Sequence, residues 1–200
     1  MNKLTLRLAD SSDIDEEKYL HASLLTETDL EDIKKMKSET NRKEKIVSSY
    51  FKNKYVGIYY LNNNGKPISD NTNFNISHSH GLVGFVDSGD YPVGIDIEKV
   101  EFVGQKMRRY ISTNKEYDYI QTDEDFYCIW TNKESLVKAL GTGITLPMRN
   151  IPGLPINGCR DYADKRFYSK TLKYKDFVIT ITLQTNEPFE VEIIEEQLGL

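Results

Sequence analysis

Carboxylates that could do chemistry sit in two short stretches, Val93-Gly94-Ile95-Asp96-Ile97-Glu98 and Trp130-Thr131-Asn132-Lys133-Glu134-Ser135-Leu136-Val137-Lys138. The first alternates as a strand does, with Asp96 and Glu98 on one side and Ile95 and Ile97 on the other. The second reads as helix, with Glu134 and Lys138 at i and i+4 on one face. If strand and helix pack, three carboxylates converge beside a lysine, a set suited to a hard divalent cation and a phosphate-bearing substrate. Each motif alone has a plainer reading. Asp96 and Glu98 would be solvated acids on an edge strand, and Glu134 with Lys138 a surface ion pair worth about 0.3 kcal/mol. Lys133 would be a surface lysine and Trp130 part of a helix core. Context favours the site: both acids are flanked by apolar residues, and Gly94 permits close backbone approach just before them.

Ser77 and His78 follow the short apolar strand Phe74–Ile76, where a strand end empties into a polar loop. His78 and His80, at i and i+2, lack the further His or Cys that a zinc site needs. Lys66 follows Gly65 in a turn. There is no Walker loop, since Gly141-Thr142-Gly143 lacks the spacing and the lysine. No G-x-G-x-x-G, G-x-S-x-G or H-E-x-x-H occurs either, which removes the commonest nucleotide-fold, serine-hydrolase and metalloprotease readings.

The elements that must position these residues are legible from periodicity and punctuation. Residues 2–8 read as a strand. Thr28 with Glu31 forms a capping box for a helix to Lys37, and 39–55 is helical with Ile46, Val47, Tyr50 and Phe51 on one side. The basic run of Lys34, Lys35, Lys37, Arg42, Lys43 and Lys45 reads as a solvated face. Asn62-Asn63-Asn64-Gly65 is a turn, and 74–77 and 82–86 are strands around a loop, His78–Gly81. Ser88-Gly89-Asp90 turns the chain into the strand that carries Asp96. Thr113 and Glu116 form a second capping box. Asp123 caps a helix that Gly141 stops after Leu140. Residues 166–174, 177–184 and 189–194 read as strands. The pattern is α+β in two halves, 1–92 and 93–200, with no linker or internal repeat.

A chain of 200 residues is long enough for a substantial core, and its 28% charged and 38% hydrophobic residues are ordinary for a soluble protein. No apolar run approaches the ~20 residues of a membrane span, and the first residues lack the apolar core of a secretory leader. Cys128 and Cys159 make no disulfide framework, and Cys128 falls in the helical pattern as a buried thiol. A reducing cytoplasm fits this usage. The net charge of −5 argues against general nucleic-acid binding.

Four ordered motifs now form a set: Gly65-Lys66-Pro67, Phe74-Asn75-Ile76-Ser77-His78-Ser79, Gly94-Ile95-Asp96-Ile97-Glu98, and Trp130 to Ser135 with Lys138. In order and spacing the set resembles the 4′-phosphopantetheinyl transferases, over about residues 40–145. The likeness is to the longer, Sfp-like branch, which modifies carrier proteins of surfactin-type synthetases. The resemblance implies two similar α+β halves in a pseudo-dimeric monomer, with the active site in the cleft between them. It implies that Asp96, Glu98 and Glu134 hold Mg2+, or Mn2+, with the pyrophosphate of the co-substrate coenzyme A. Lys138 would neutralise the leaving 3′,5′-ADP, and Glu134, or Glu98 through a water, would be the base. Arg42, Lys43, Lys66, Pro67, Ser77 and His78 would form the coenzyme site. The region Asn41-Arg42-Lys43-Glu44-Lys45 departs from the basic cluster common in the family, and the last 50 residues carry no family motif.

The implied partner is an apo acyl or peptidyl carrier protein, usually acidic. Lys106, Arg108, Arg109 and Lys115, beside Phe102, Val103, Met107 and Tyr110, form a basic and apolar segment that suits docking or, equally, an amphipathic helix of the fold. Two further readings remain at this stage: a non-catalytic binder of coenzyme A or of a carrier with the same fold, and an unrelated metal-dependent phosphodiesterase. The carboxylate set speaks against the first. The scarcity of acids and histidines for a second metal speaks against the other.

Overall fold

The computed structural model describes residues 2–20, 25–143 and 146–198. Its elements are β1 (Asn2–Asp10), α1 (Glu16–Leu20), α2 (Glu27–Lys35), α3 (Glu39–Tyr55), the two-residue strands β2 (Tyr60–Leu61) and β3 (Pro67–Ile68), β4 (Asn73–Ser79) and β5 (Leu82–Gly89). Then come β6 (Val93–Lys99), α4 (Gln105–Ile111), α5 (Asn114–Tyr119), α6 (Asp123–Leu140), β7 (Gly158–Tyr162), β8 (Lys165–Tyr174), β9 (Phe177–Leu183) and β10 (Phe189–Glu195). The fold is α+β, built on two four-stranded sheets in the orders β10-β1-β5-β4 and β6-β9-β8-β7. The last strand leaves its sequence neighbours and pairs parallel to β1, Leu4 opposite Val191.

Each sheet carries one long helix. The predicted apolar side of α3 (Ile46, Val47, Tyr50, Phe51) is buried with Phe74, Val83 and Phe85. The α6 residues Phe126, Ile129, Leu136 and Val137 pack with Ile111, Ile151 and Phe167. Between the sheets, Leu4, Leu6 and Leu8 meet Ile95, Ile97, Ile179 and Ile181 in a third apolar cluster. Among the described residues, the side of β6 away from β9 has no partner strand. Side chains of β4 take its place: Ile95 N donates to Asn75 Oδ1 (2.9 Å), and Ile97 N and Lys99 N donate to the hydroxyls of Ser77 and Ser79 (3.3 Å each). Alternate residues of one strand thus satisfy alternate amides of another, and the edge needs no fifth strand.

Several expectations need correction. The capping box of α2 is Thr26 with Asp29, not Thr28 with Glu31, and the helix ends at Lys35. Asp29 is the better choice because it also accepts from Ser49 of α3, so tertiary bonding decided the register. Thr122, boxed with Asp125, caps α6, while Asp123 accepts from Val103 N and Arg108. The loop predicted at His78–Gly81 shrinks to the two residues His80 and Gly81, both at positive φ (49° and 88°), so His78 and Ser79 belong to β4. Cys128 is a free thiol but only partly buried. Strand β7 was not anticipated; it is short, polar and at a sheet edge. The helix 39–55, the box at Thr113 and Glu116, and the stop at Gly141 (φ 77°) are as predicted.

Gly94 is where α6 presses on β6. A Cβ there would lie 2.0 Å from Ser135 O and 2.4 Å from Ala139 N, both backbone atoms of the helix. Gly94→Ala must therefore push α6 off the strand. We expect a loss of about 3 kcal/mol in chemical denaturation, the upper range for overpacking, and unchanged stability would mean that α6 is not seated on β6.

Candidate active site

The close seating at Gly94 sets the next two outward residues of β6, Asp96 and Glu98, against the same face of α6. Asp96 is 4% exposed. Its Oδ1 lies 2.5 Å from Lys138 Nζ and accepts from Ser77 Oγ at 3.3 Å. Its Oδ2 is buried with no hydrogen-bond partner among the described residues. Glu98 accepts from Trp130 Nε1 (3.1 Å) and Ser79 Oγ (3.3 Å). Trp130, expected as core, is half-buried against Phe126 and also aims the Glu98 carboxylate. Glu134 lies one helical turn before Lys138 and lines the same cleft as Lys138, Lys66 and Pro67.

Burial raises the pKa of Asp96 above the usual carboxylate range, although Lys138 opposes the shift. Burial and then the charge of Asp96 raise Glu98 and Glu134. Three acids thus hinder one another's ionisation with one ammonium among them, which is how a site short of positive charge behaves. No group of three or more His, Cys, Asp or Glu among the described residues is gathered tightly enough to hold a metal ion.

Lys66 is not a solvated turn lysine. Its Nζ donates to Val93 O (3.0 Å) and Lys138 O (2.6 Å), and burial without a facing carboxylate lowers its pKa to about 8. It ties the turn before β3 to the ends of β6 and α6, and with Pro67, Asn75, Val137, Glu134 and Lys138 it lines a cleft of about 300 Å3. A cleft of about 490 Å3 beside Asp10, Tyr174 and Glu195 lies away from these groups, so convergence of polar groups and not size selects the site.

Other expected residues fall elsewhere. His78 is on the opposite side of β4 from Ser77, with Nδ1 2.9 Å from Glu44 Oε2. Glu44, missed in the sequence, is buried and also accepts from Gly81 N (2.8 Å). Arg42 pairs with Glu16 (2.7 Å) and Lys43 with Glu39 (3.0 Å), and among the described residues no hydrogen bond or ion pair links either to the carboxylate cluster. Lys133 is fully buried, not a surface lysine; it donates to Glu116 Oε2 (2.8 Å), Met148 O and Ile151 O and anchors α6. Arg108 is held by Asp123 (2.7 Å) and Val103 O, and so is not a free rim charge. The ladder residues Asn75 and Ser79 were also missed, although the polar alternation Asn75, Ser77, Ser79 was the available signal.

With this geometry in place, comparison with known proteins is informative. Residues 92–182, which hold β6, α6 and β9, match the model of the 4′-phosphopantetheinyl transferase superfamily. The chain is 40% identical to the 4′-phosphopantetheinyl transferase ffp of Bacillus subtilis, over 42% of this chain and 41% of that protein. It is 35% identical to gsp of Aneurinibacillus migulanus (46% and 42%) and 38% identical to Sfp of Bacillus subtilis strain 168 (42% and 41%), both also 4′-phosphopantetheinyl transferases. The resemblance read from the motifs is thereby shown for this part of the molecule. The chain spans about two fifths of the length of the curated relatives it matches, 41–42%.

The electrostatics give a pH prediction. A carboxylate whose pKa is raised on folding binds protons more tightly in the native state, so stability is greatest below its unfolded pKa and is lost as pH rises through the folded one. Glu134→Gln should therefore stabilise the metal-free protein at pH 7, and the gain should vanish below about pH 4.5, the ordinary value for Glu. Urea midpoints across pH 4–8 test this; a gain that persists at low pH would trace to packing instead.

Proposed function

We propose that the protein transfers the 4′-phosphopantetheine group of coenzyme A to a serine hydroxyl of an apo acyl or peptidyl carrier protein and releases 3′,5′-ADP. The observation that carries this reading is the convergence of Asp96, Glu98, Glu134 and Lys138 where β6 meets α6. In the transfer, the serine oxygen forms a bond to the β-phosphorus of the coenzyme, and the bond from that phosphorus to the bridging oxygen of the nucleotide breaks. Glu134 or Glu98 takes the serine proton, and the raised pKa of both acids brings their basicity closer to neutral pH. Lys138 sets an ammonium against the leaving phosphate. Lys66 and Pro67, in the same cleft, border the nucleotide, and Ser77 holds both Lys138 and Asp96 in place.

Asp96, Glu98 and Glu134, which are not gathered tightly enough here for a metal ion, are the residues that would have to draw together around Mg2+ or Mn2+. The partnerless Asp96 Oδ2 and the mutual repulsion of the three acids fit a cation there. When bound it supplies positive charge at the phosphate oxygens. Two α+β halves, 1–92 and 93–200, facing each other within a monomer are part of this reading, as is a cytoplasmic setting, which two free cysteines support. No helix among the described residues is long and apolar enough to cross a membrane.

A mass gain of about 340 Da on an apo-carrier, given coenzyme A and Mg2+, tests the activity. Asp96→Asn and Glu134→Gln should each lower kcat at least a hundredfold while the fold persists, a loss of about 3 kcal/mol of transition-state stabilisation. Transfer at the full rate in either variant would refute the role of these acids.

For the acidic carrier we infer a docking face around α4. Phe102, Met107 and Tyr110 are 87%, 50% and 69% exposed, and Lys106 stands beside them. With Arg108 committed to Asp123, recognition rests on these apolar side chains. Met107→Asp with Tyr110→Asp should raise the carrier KM about tenfold with little change in kcat or in coenzyme A affinity. An unchanged carrier KM would place the docking face elsewhere.

A further inference from the structure

The chain has seven arginines. Four pair with carboxylates: Arg7 with Glu196, Arg42 with Glu16, Arg108 with Asp123 and Arg166 with Asp161. Arg160 is buried on backbone carbonyls and Asn132. The other two, Arg109 and Arg149, are exposed, have no carboxylate partner among the described residues, and line one cleft. In an acidic protein this pairing of unneutralised guanidiniums is a local exception.

The cleft, of about 380 Å3, is walled by Arg109, Ser112, Asn114, Tyr117, Arg149 and Asn150, with no Asp or Glu in its lining. It is partly preorganised. The Arg109 guanidinium lies over the Tyr117 ring at 4.2 Å, and Arg149 Nη2 donates to Arg109 O at 3.0 Å, joining the end of α4 to the segment after α6. Ser112, 6% exposed, has a hydroxyl with no hydrogen-bond partner among the described residues. Two like charges held together disfavour the fold by their repulsion unless an anion joins them. Guanidiniums present planar sets of donors that match phosphate oxygens. A phosphate dianion balances both charges, whereas a single carboxylate leaves one uncompensated.

We propose that Arg109 and Arg149 form a binding site for a phosphate dianion, separate from the carboxylate site of β6 and α6. Asn114 and Asn150 supply neutral hydrogen-bonding groups around it, and the cleft has room for a phosphate monoester larger than inorganic phosphate.

The test is calorimetric titration of the full chain with inorganic phosphate at constant ionic strength, balanced with chloride. Saturable binding is expected in the parent protein, with affinity reduced at least tenfold in Arg149→Gln. Arg149→Gln should not lower the melting temperature of the phosphate-free protein, since it relieves the repulsion, and carrier transfer in phosphate-free buffer should be unchanged. Arg109→Gln should weaken phosphate equally; should it lose its fold through the Tyr117 contact, Arg149→Gln decides alone. Phosphate bound as tightly by Arg149→Gln as by the parent, a response no larger than that to chloride, or acetate binding as tightly as phosphate would each overturn the proposal.

Discussion

Strand β6 lies at a sheet edge, yet its outward amides are not left to solvent. Asn75, Ser77 and Ser79 project from β4 at alternate positions and accept from Ile95, Ile97 and Lys99. This joint between the two sheets works through side chains, so the sheets meet without merging. The rest of the molecule depends on it. Had β4 and β6 paired as ordinary strands, their backbones would have used the bonds that Ser77 and Ser79 now offer. Those two hydroxyls also reach Asp96 and Glu98, so one set of small polar residues both closes the fold and orients the acids.

The same joint explains why acids are tolerated in an interior. A buried carboxylate costs several kcal/mol unless it is paired and hydrogen-bonded. Asp96 has Lys138 and Ser77 on one oxygen and, among the described residues, no hydrogen-bond partner on the other. Glu98 has Trp130 and Ser79. Glu134 faces both with little compensation. The cluster is therefore incompletely satisfied by the protein itself, and the structure elsewhere is built to hold it regardless. Lys133, the residue before Glu134, anchors α6 through a fully buried pair with Glu116, and Thr131, Asn132 and Ser135 bond to threonines of β8 and β9. The helix that carries Glu134 and Lys138 is fastened through polar contacts on its far side, which define its rotation more sharply than apolar packing alone.

Local rules carried the reading of the elements where local energetics dominate. The apolar stripe of α3, the glycine stop of α6 and the Thr113 box all depend on residues within a turn or two. The first box of α2 was misplaced by two residues because Thr26 with Asp29 and Thr28 with Glu31 satisfy the same local pattern. Ser49, twenty residues away, distinguishes them. Strand β7 escaped for a similar reason: an edge strand with one apolar neighbour lacks the alternation that marks a half-buried one.

By itself the sequence determined the α+β class, the alternation that puts Asp96 and Glu98 on one face, and the spacing of Glu134 and Lys138. These follow from backbone periodicity, which is independent of context. Only the tertiary structure decided which lysine matters where. Lys133 and Lys138 look alike in sequence, five residues apart on one helix; one is sealed in the core on Glu116 and the other bridges to Asp96. It also separated His78 from Ser77, since adjacent strand residues point to opposite faces, and it committed Arg42, Lys43 and Arg108 to nearby acids. A charge finds its partner through space, and the distance along the chain that separates them, 42 residues for Lys138 and Asp96, leaves no periodic trace.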